Sequence, residues 1–283
     1  MKGVVFLGER KTELREFTDP QPGPRDVIIE IKASGMCGTD LKSYREPFIP
    51  GVVRGGIKRS MEPVIAGHEP CGVIAELGSA VTKHEAQIGQ RVIDHHYQGC
   101  GVCRHCMAGW RQMCVDGATV FGSVTHGAHA PYMRVPLDTL VTLPDELSFE
   151  TGAAIACGTG TAYGALGRLS LRGDETIAIF GQGPVGLAAT QLAHAMGARV
   201  IALDISQERR KLSEDMGADF ILDPMAQNPV EAILGLTHGE GADKTLDASS
   251  SSEARVQAVR ATRAWGSCCY VGEGGDVTLE VSP

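Results

Sequence analysis

The sequence predicts two folds in tandem, an all-β, barrel-like region followed by a doubly wound parallel α/β sheet. Three observations lead there. Short apolar runs broken by turn residues fill the first half; from Thr151 onward strand-like runs alternate with helical ones; and Gly181-Gln182-Gly183-Pro184-Val185-Gly186 stands between an apolar strand and a helix. With 283 residues the chain has room for two domains, each with a core. The change of pattern sets domains of 1–147 and 148–283.

In chain order, residues 27–31 alternate apolar and polar, 71–77 and 91–93 read as further strands, and 140–143 closes the series before Pro144. The second half opens with an Ala/Gly-rich helical stretch at 161–169. A strand at 176–180, a helix at 184–196 and a strand at 199–203 follow, and strands recur at 220–222, 244–246 and 268–271. Aromatic residues make up 5% and there are 36 glycines, so the cores are expected to be built from Val, Ile, Leu and Ala between tight turns. A formal charge of -8 argues against a nucleic-acid partner, which needs a basic face. The apolar start at 1–7 is too short for a secretory signal and no run reaches membrane-spanning length, so a soluble, cytoplasmic protein without a membrane partner is expected. Nine cysteines, an odd number, fit a reducing compartment.

Four of these cysteines, Cys100, Cys103, Cys106 and Cys114, follow a C-x2-C-x2-C-x7-C spacing in a loop with Gly99, Gly101 and Gly109. Four thiolates from one short segment close all positions of a tetrahedral ion, which describes a structural zinc site. An iron–sulfur run would place its fourth Cys closer and follow it with Pro. In the glycine run, Gly181 makes the tight turn, Gly183 lets backbone approach a pyrophosphate and Gly186 lets helix pack on strand, with Pro184 and Val185 opening the helix. Asp204 ends the next strand, where a carboxylate accepts from an adenosine ribose and repels a 2'-phosphate. This favours NAD over NADP, with Arg209 as a further ribose contact.

Cys37, His68 and Cys157 are unremarkable singly, since lone Cys and His are more often core residues than ligands. Together with their neighbours they carry a resemblance. Cys-Gly-Thr-Asp at 37–40, Gly-His-Glu at 67–69, the four-cysteine lobe, Cys-Gly-Thr-Gly-Thr-Ala-Tyr at 157–163 and the glycine run occur in one order. In that order the chain resembles the zinc-dependent alcohol dehydrogenases of the medium-chain dehydrogenase/reductase family. The resemblance implies a GroES-like catalytic domain beside a Rossmann domain, with the active site in the cleft between them, and two zinc ions per chain. Cys37, His68 and Cys157 would bind a catalytic zinc with one position open, and Glu69 would serve as outer or transient ligand. Zinc lowers the pKa of an alcohol and polarises a carbonyl, and hydride passes to or from NAD. Thr39 would relay the substrate proton, Asp40 would orient His68, and Thr161 would face the nicotinamide.

The resemblance implies a small alcohol or carbonyl compound as substrate. The family's layout puts His96 in its pocket, with Tyr44 and Phe48 as neighbours; a His there suggests a diol, polyol or hydroxy acid, and the equal alternative is a pocket-edge His that only bonds a backbone carbonyl. Cys157 as third ligand points instead to a simpler alcohol, since polyol and threonine dehydrogenases of the family commonly carry a carboxylate. Lys42 stands where some members have a relay His. A dinucleotide-binding protein without dehydrogenase activity is the alternative, which intact Cys37, His68, Cys157 and Thr39 oppose. Cys71, Cys268 and Cys269 are expected in the cores. The resemblance also leads to expect a sixth Rossmann strand and a return to the first domain, where this sequence shows five strand candidates and then 281–283. A Rossmann sheet lacking its last strand, weakened activity, and homo-oligomers in the full-length form are therefore expected.

Overall fold

In the computed structural model residues 1–54 and 57–280 are described, and the stretch 281–283 lies outside them. The chain forms two compact units, Met1–Cys157 and Gly158–Pro283.

The first unit opens with β1 (Lys2–Gly8) and β2 (Lys11–Glu16), an antiparallel pair. Then come β3 (Asp26–Gly35), α1 (Gly38–Arg45), the short β4 (Val53–Arg54) and β5 (Ile57–Lys58), β6 (Glu69–Leu77) and β7 (Arg91–Asp94). After β8 (Tyr97–Gln98), α2 (Arg104–Met107) and β9 (Thr119–Val120), β10 (Tyr132–Pro136) and β11 (Leu140–Thr142) complete an antiparallel sheet of order β10-β3-β6-β7-β11. Its shape follows from chain length. The stretch from Pro136 to Leu140 reaches at most about 14 Å, yet it joins the two edges of a sheet that would be about 19 Å wide if flat. The sheet is therefore rolled, around a core of Val27, Ile29, Ile74, Val92, Met133 and Val135. Helix α3 (Phe149–Ala154) is capped by the Ser148 hydroxyl, which accepts from Thr151 N, and packs on β3 and β6. Here Gly152 lies so close to Cys71 that an added Cβ would stand 2.4 Å from its sulfur. That packing carries the first unit past the 147/148 boundary expected from sequence, to a π-helical turn at Ile155–Thr159 that bears Cys157.

The second unit contains α4 (Gly160–Leu169), β12 (Thr176–Phe180), α5 (Pro184–Ala195), β13 (Arg199–Leu203), α6 (Gln207–Asp215) and β14 (Phe220–Leu222). It continues with α7 (Pro229–Leu236), β15 (Ala242–Asp247), α8 (Ser252–Ala261) and β16 (Thr262–Tyr270). The five strands are parallel, in the order β14-β13-β12-β15-β16. Alternation along β12 divides the core into two layers. Ile177 and Ile179 pack with Leu166, Ala189 and Ala193 of α4 and α5, whereas Ala178 and Phe180 pack with Ile233, Ala258 and Ala261 of α7 and α8. The connection from α8 into β16 bulges at 263–266, where Trp265 is fully exposed at φ 61°. Among the described residues no helix is long and apolar enough to cross a membrane.

One buried group in the first core is out of balance. Asp94, at the end of β7, is completely buried and neither oxygen has a hydrogen-bond partner. Burial, outweighing the nearby Thr139 hydroxyl, pushes its carboxyl well above 3.8. Folded chains then hold this proton longer than unfolded ones, so stability falls as pH rises from the unfolded pKa towards the folded one, by about 1.4 kcal/mol per pH unit for one proton. Asp94→Asn removes that dependence. Urea unfolding at pH 5 and pH 8 should show the variant gaining on the parent at the higher pH, and an equal difference at both would count against the assignment.

Candidate metal centres and dinucleotide loop

The four-cysteine lobe brings its thiols together through local turns. Gly101 and Gly109 take φ of 76° and 84°, which a side chain would resist, and a Cβ on Gly99 would sit 2.5 Å from Cys106 Sγ. The ligand atoms of Cys100, Cys103, Cys106 and Cys114 all lie within 4.8 Å of one another. Backbone donors face the sulfurs: Cys103 N lies 3.3 Å from Cys100 Sγ, and Cys100 N lies 3.3 Å from Cys114 Sγ. Backbone N–H groups of Cys106 and Val115 hold Cys103 down at about 6, while burial pushes Cys106 up to about 12. Such a set, with one thiolate formed and amides turned to the sulfurs, fits a closed zinc site.

A second group is assembled from three distant segments. β3 and β6 pair antiparallel with Gly35 opposite Glu69, so the residues just beyond their paired ends, Cys37 and His68, meet. The turn after α3 adds Cys157, whose sulfur lies 3.9 Å from that of Cys37. The ligand atoms of Cys37, His68, Glu69 and Cys157 all lie within 4.8 Å of one another. Asp40 is buried behind them. Its Oδ1 is 3.1 Å from His68 Nδ1, and its Oδ2 accepts from Cys37 N at 2.9 Å. The imidazole thus presents Nε2 as its free nitrogen. Cys37 caps α1, and the Cys157 thiol, with His68 and the Thr39 backbone N–H, overcomes burial to hold it down at about 4. The same contact with Cys37, and burial, push Cys157 up. Burial works against a charged His68, but Asp40 and Cys37 outweigh it and raise the ring to about 10. Burial and the Cys37 charge raise Glu69 to about 7. Two sulfurs and one imidazole nitrogen suit a tetrahedral zinc with one position to spare, and the Glu69 carboxylate stands within reach of it.

The glycine loop belongs to the second unit. Gly181 has φ 90° and a Cβ there would stand 2.8 Å from Ser249 Cα; on Gly186 it would stand 1.8 Å from Gly181 O. These two are demanded by packing. Gly183 is different, since a Cβ there meets nothing within 4 Å, which leaves room for a phosphate above the start of α5. Pro184 fills the first helical position, followed by Val185. Asp204 is nearly buried, and its Oδ2 accepts from Gln182 N at 2.6 Å and its Oδ1 from Ser206 N at 2.8 Å. Arg209, in the first turn of α6, brings Nη1 to 3.8 Å from Asp204.

The remaining singled-out residues divide between these neighbourhoods. His96 is buried with its ring 5.0 Å from that of His68, and its Nδ1 faces Ala156 O at 3.3 Å. A carbonyl only accepts, so Nδ1 carries the proton and Nε2 is an acceptor; burial and the two neighbouring histidines hold the ring neutral, down at about 3. Thr39 is exposed in the first turn of α1, with Lys42 and Tyr44 further along that helix, and Thr161 is exposed on α4. The Phe48 ring lies under Arg59 at 4.4 Å. Sequence reasoning missed two residues. His129 hydrogen-bonds Ser34 through Nδ1 at 2.8 Å and fills the space that a Cβ on Gly67, at φ 88°, would need. Gln182, the variable position of the glycine run, is fully buried, donating to Ile179 O and accepting from Thr190 Oγ1. Only the Gly67-His68 pair hinted at the first, and nothing local marked the second.

Comparison with known proteins agrees with this architecture. Residues 23–145 match the alcohol dehydrogenase GroES-like domain, and residues 184–283 match the zinc-binding dehydrogenase family. The zinc-type alcohol dehydrogenase-like protein YphC of Escherichia coli (strain K12) is 37% identical over 285 residues, covering 100% of this chain and 80% of that protein. An alcohol dehydrogenase of Geobacillus stearothermophilus is 34% identical over 270 residues, covering 95% of this chain and 76% of its own. Further relatives are L-threonine 3-dehydrogenases and a sorbitol dehydrogenase. Among solved structures, alcohol dehydrogenase TADH from Thermus sp. ATN1 superposes with a TM-score of 0.86 at 28% identity, over 100% of this chain and 81% of that one. A zinc-binding dehydrogenase from Sinorhizobium meliloti 1021 bound to NADP gives 0.86 at 29%, over 99% and 79%. The chain is a member of the zinc-type alcohol dehydrogenases of the medium-chain dehydrogenase/reductase family. It is a zinc-binding oxidoreductase with a GroES-like domain followed by a Rossmann-like parallel sheet.

Two outcomes are expected of the metal centres. Cys103→Ser should lower the unfolding midpoint, because a closed site contributes folding energy, whereas Cys37→Ser should lose one equivalent of metal and keep its fold. Circular dichroism with metal analysis checks this, and an equal loss of folding in both would overturn the division. Loading zinc into the Cys37 group near neutral pH should also release about two protons, from Cys157 and His68, because Cys37 is already a thiolate. Calorimetry in buffers of different ionisation enthalpy counts them. Affinity should climb with pH, and less steeply once His68 deprotonates unaided, because Cys157 still has a proton to lose.

Proposed function

We propose that the protein is an NAD-dependent zinc alcohol dehydrogenase, moving a hydride between NAD and a small primary or secondary alcohol or its carbonyl product. The observation that carries this reading is the convergence of Cys37, His68 and Cys157, with Glu69, on one point beside a neutral His96. Zinc held there supplies Lewis acidity, and the nicotinamide supplies the hydride acceptor. The chain's own groups do the rest. Asp40 fixes the tautomer and direction of His68, and Cys37 and Cys157 supply the sulfurs. Glu69 serves as outer or transient ligand. Thr39, two residues past Cys37, carries the hydroxyl that passes the substrate proton outward. Gly181, Gly183 and Gly186 seat the pyrophosphate with Pro184 and Val185, and Thr161 faces the nicotinamide.

Asp204 keeps lone pairs after its two backbone bonds, and these suit a ribose diol better than a 2'-phosphate, which supports NAD. Arg209 adds a ribose contact. His96 favours a second reading of the substrate. With Nε2 an acceptor in a neutral ring, it would take a hydrogen bond from an additional hydroxyl, as in a diol, polyol or threonine-like compound. We further propose a cytoplasmic location and assembly as a homo-oligomer.

A screen of alcohols, diols and hydroxy acids with NAD and with NADP, followed by NADH or NADPH absorbance, tests the activity. Thr39→Val should reduce turnover of the best substrate by roughly a hundredfold with zinc content unchanged. Undiminished turnover would remove Thr39 from the proton path, and a preference for NADP would overturn the reading of Asp204.

A further inference from the structure

In the second unit, Arg255 and Asp247 form a buried ion pair. Asp247 at the end of β15 is fully buried and Arg255 on α8 is 6% exposed, with Nε 3.2 Å from Oδ2. Neither belongs to the glycine run or to a metal group. The remaining side-chain bonds of the pair go to two loops. Asp247 Oδ1 accepts from Ser249 N at 3.0 Å and Ser249 Oγ at 2.6 Å, holding the turn whose Cα abuts Gly181. Arg255 Nη1 donates to Gly275 O at 2.7 Å and Nη2 to Gly272 O at 2.5 Å, holding the strap that follows β16. Val271 N and Gly272 N add bonds to Asp247 O, and Tyr270 hydroxyl donates to Arg255 O. The strap crosses so closely that a Cβ on Gly272 would stand 2.5 Å from Ser250 N.

The placement of these loops gives the pair a consequence. In an open parallel sheet, ligands bind beyond the carboxyl ends of the strands where the order reverses, and here β13 flanks β12 on one side and β15 on the other. Asp204 directly follows β13, so a dinucleotide with its adenosine there and its pyrophosphate on the glycine loop extends its other half over the ends of β15 and β16. The turn at 249–251 and the strap at 272–276 are what it meets. We infer that Arg255 is a positioning residue that, through Asp247, sets these two loops as the wall for the nicotinamide half of the coenzyme; this rests on the dinucleotide reading above. The planar guanidinium is needed because one group must face a carboxylate and two carbonyls at once, a fork that an ammonium does not reproduce.

The test separates the two halves of the coenzyme. Arg255→Lys keeps the charge beside Asp247, and the double variant Arg255→Met/Asp247→Asn removes both charges, so neither leaves a buried carboxylate alone. For the zinc-loaded protein, dissociation constants are measured for NADH and for ADP-ribose, and likewise for NADPH and 2'-phospho-ADP-ribose. In both variants the whole dinucleotide should bind about tenfold more weakly, as for the loss of one or two charge-assisted hydrogen bonds, while the ribose fragment changes by less than about twofold. Equal weakening of dinucleotide and fragment marks general damage to the sheet and overturns the inference. So does an unchanged dinucleotide affinity. If the unaltered protein binds neither dinucleotide nor fragment, the reading of the glycine loop has failed, and the inference falls with it.

Discussion

The carboxylate of Asp40, in the first turn of α1, ties together the segments that leave β3 and enter β6 at the second metal group. One of its oxygens takes the backbone N–H of Cys37 at the start of α1, and the other faces the imidazole of His68 at the entry to β6. Burying a carboxylate is unfavourable unless its lone pairs are used, and here both oxygens are used on residues that must meet. A neutral side chain at this position would leave His68 free to rotate or to change tautomer, and would release the first turn of α1. The geometry of Cys37 and Glu69 depends on that restraint and on the pairing of β3 with β6, whereas Cys157 is aimed by the turn after α3, which packs on both strands.

The same device recurs at the other functional loops. Asp204 ties the glycine run to the end of β13 through Gln182 N, and Asp247 ties the turn after β15 through Ser249 N. In each case a short loop at a strand's carboxyl end is held by one buried acid, each charge-assisted bond contributing about 1.5–3 kcal/mol. On the coenzyme reading proposed above Asp204 would have two duties, so its replacement would change coenzyme preference and also loosen the glycine turn, and the two effects separate only in a substitution that preserves the acceptor for Gln182 N.

The second unit was the more legible of the two. Apolar strands buried on both faces, the glycine run and an acid one strand later are local signals, and all five strand candidates reappear in β12 to β16. In the first unit β1, β2, α1 and β10 were not read. β2 is polar along most of its length, α1 is short, and β10 is specified mainly by its partner β3. The four-cysteine lobe could be read by spacing because its ligands share one loop. Cys37, His68 and Cys157 could not, since only tertiary pairing joins them, and the family resemblance alone pointed there. The boundary at 147/148 fell early because α3 belongs to the first unit by packing, which no local pattern reports. His129 escaped notice because its partner Ser34 lies 95 residues away, and Gln182 and Arg255 because the burial of a polar side chain leaves no local pattern in the sequence.

The two metal groups differ in what the chain must do before an ion arrives. Cys100 and Cys114 are 14 residues apart, in a lobe of turns with little apolar packing of its own, whereas Cys37 and Cys157 are 120 apart. Closing the longer loop in an unfolded chain costs about 2 kcal/mol more than closing the shorter. That closure is already supplied by the β3–β6 ladder and by α3 against both strands. Metal at the lobe is therefore coupled to local folding. The Cys37 group is preformed by the sheet, so a metal there would be spared the work of holding the fold, in keeping with the catalytic role proposed for it.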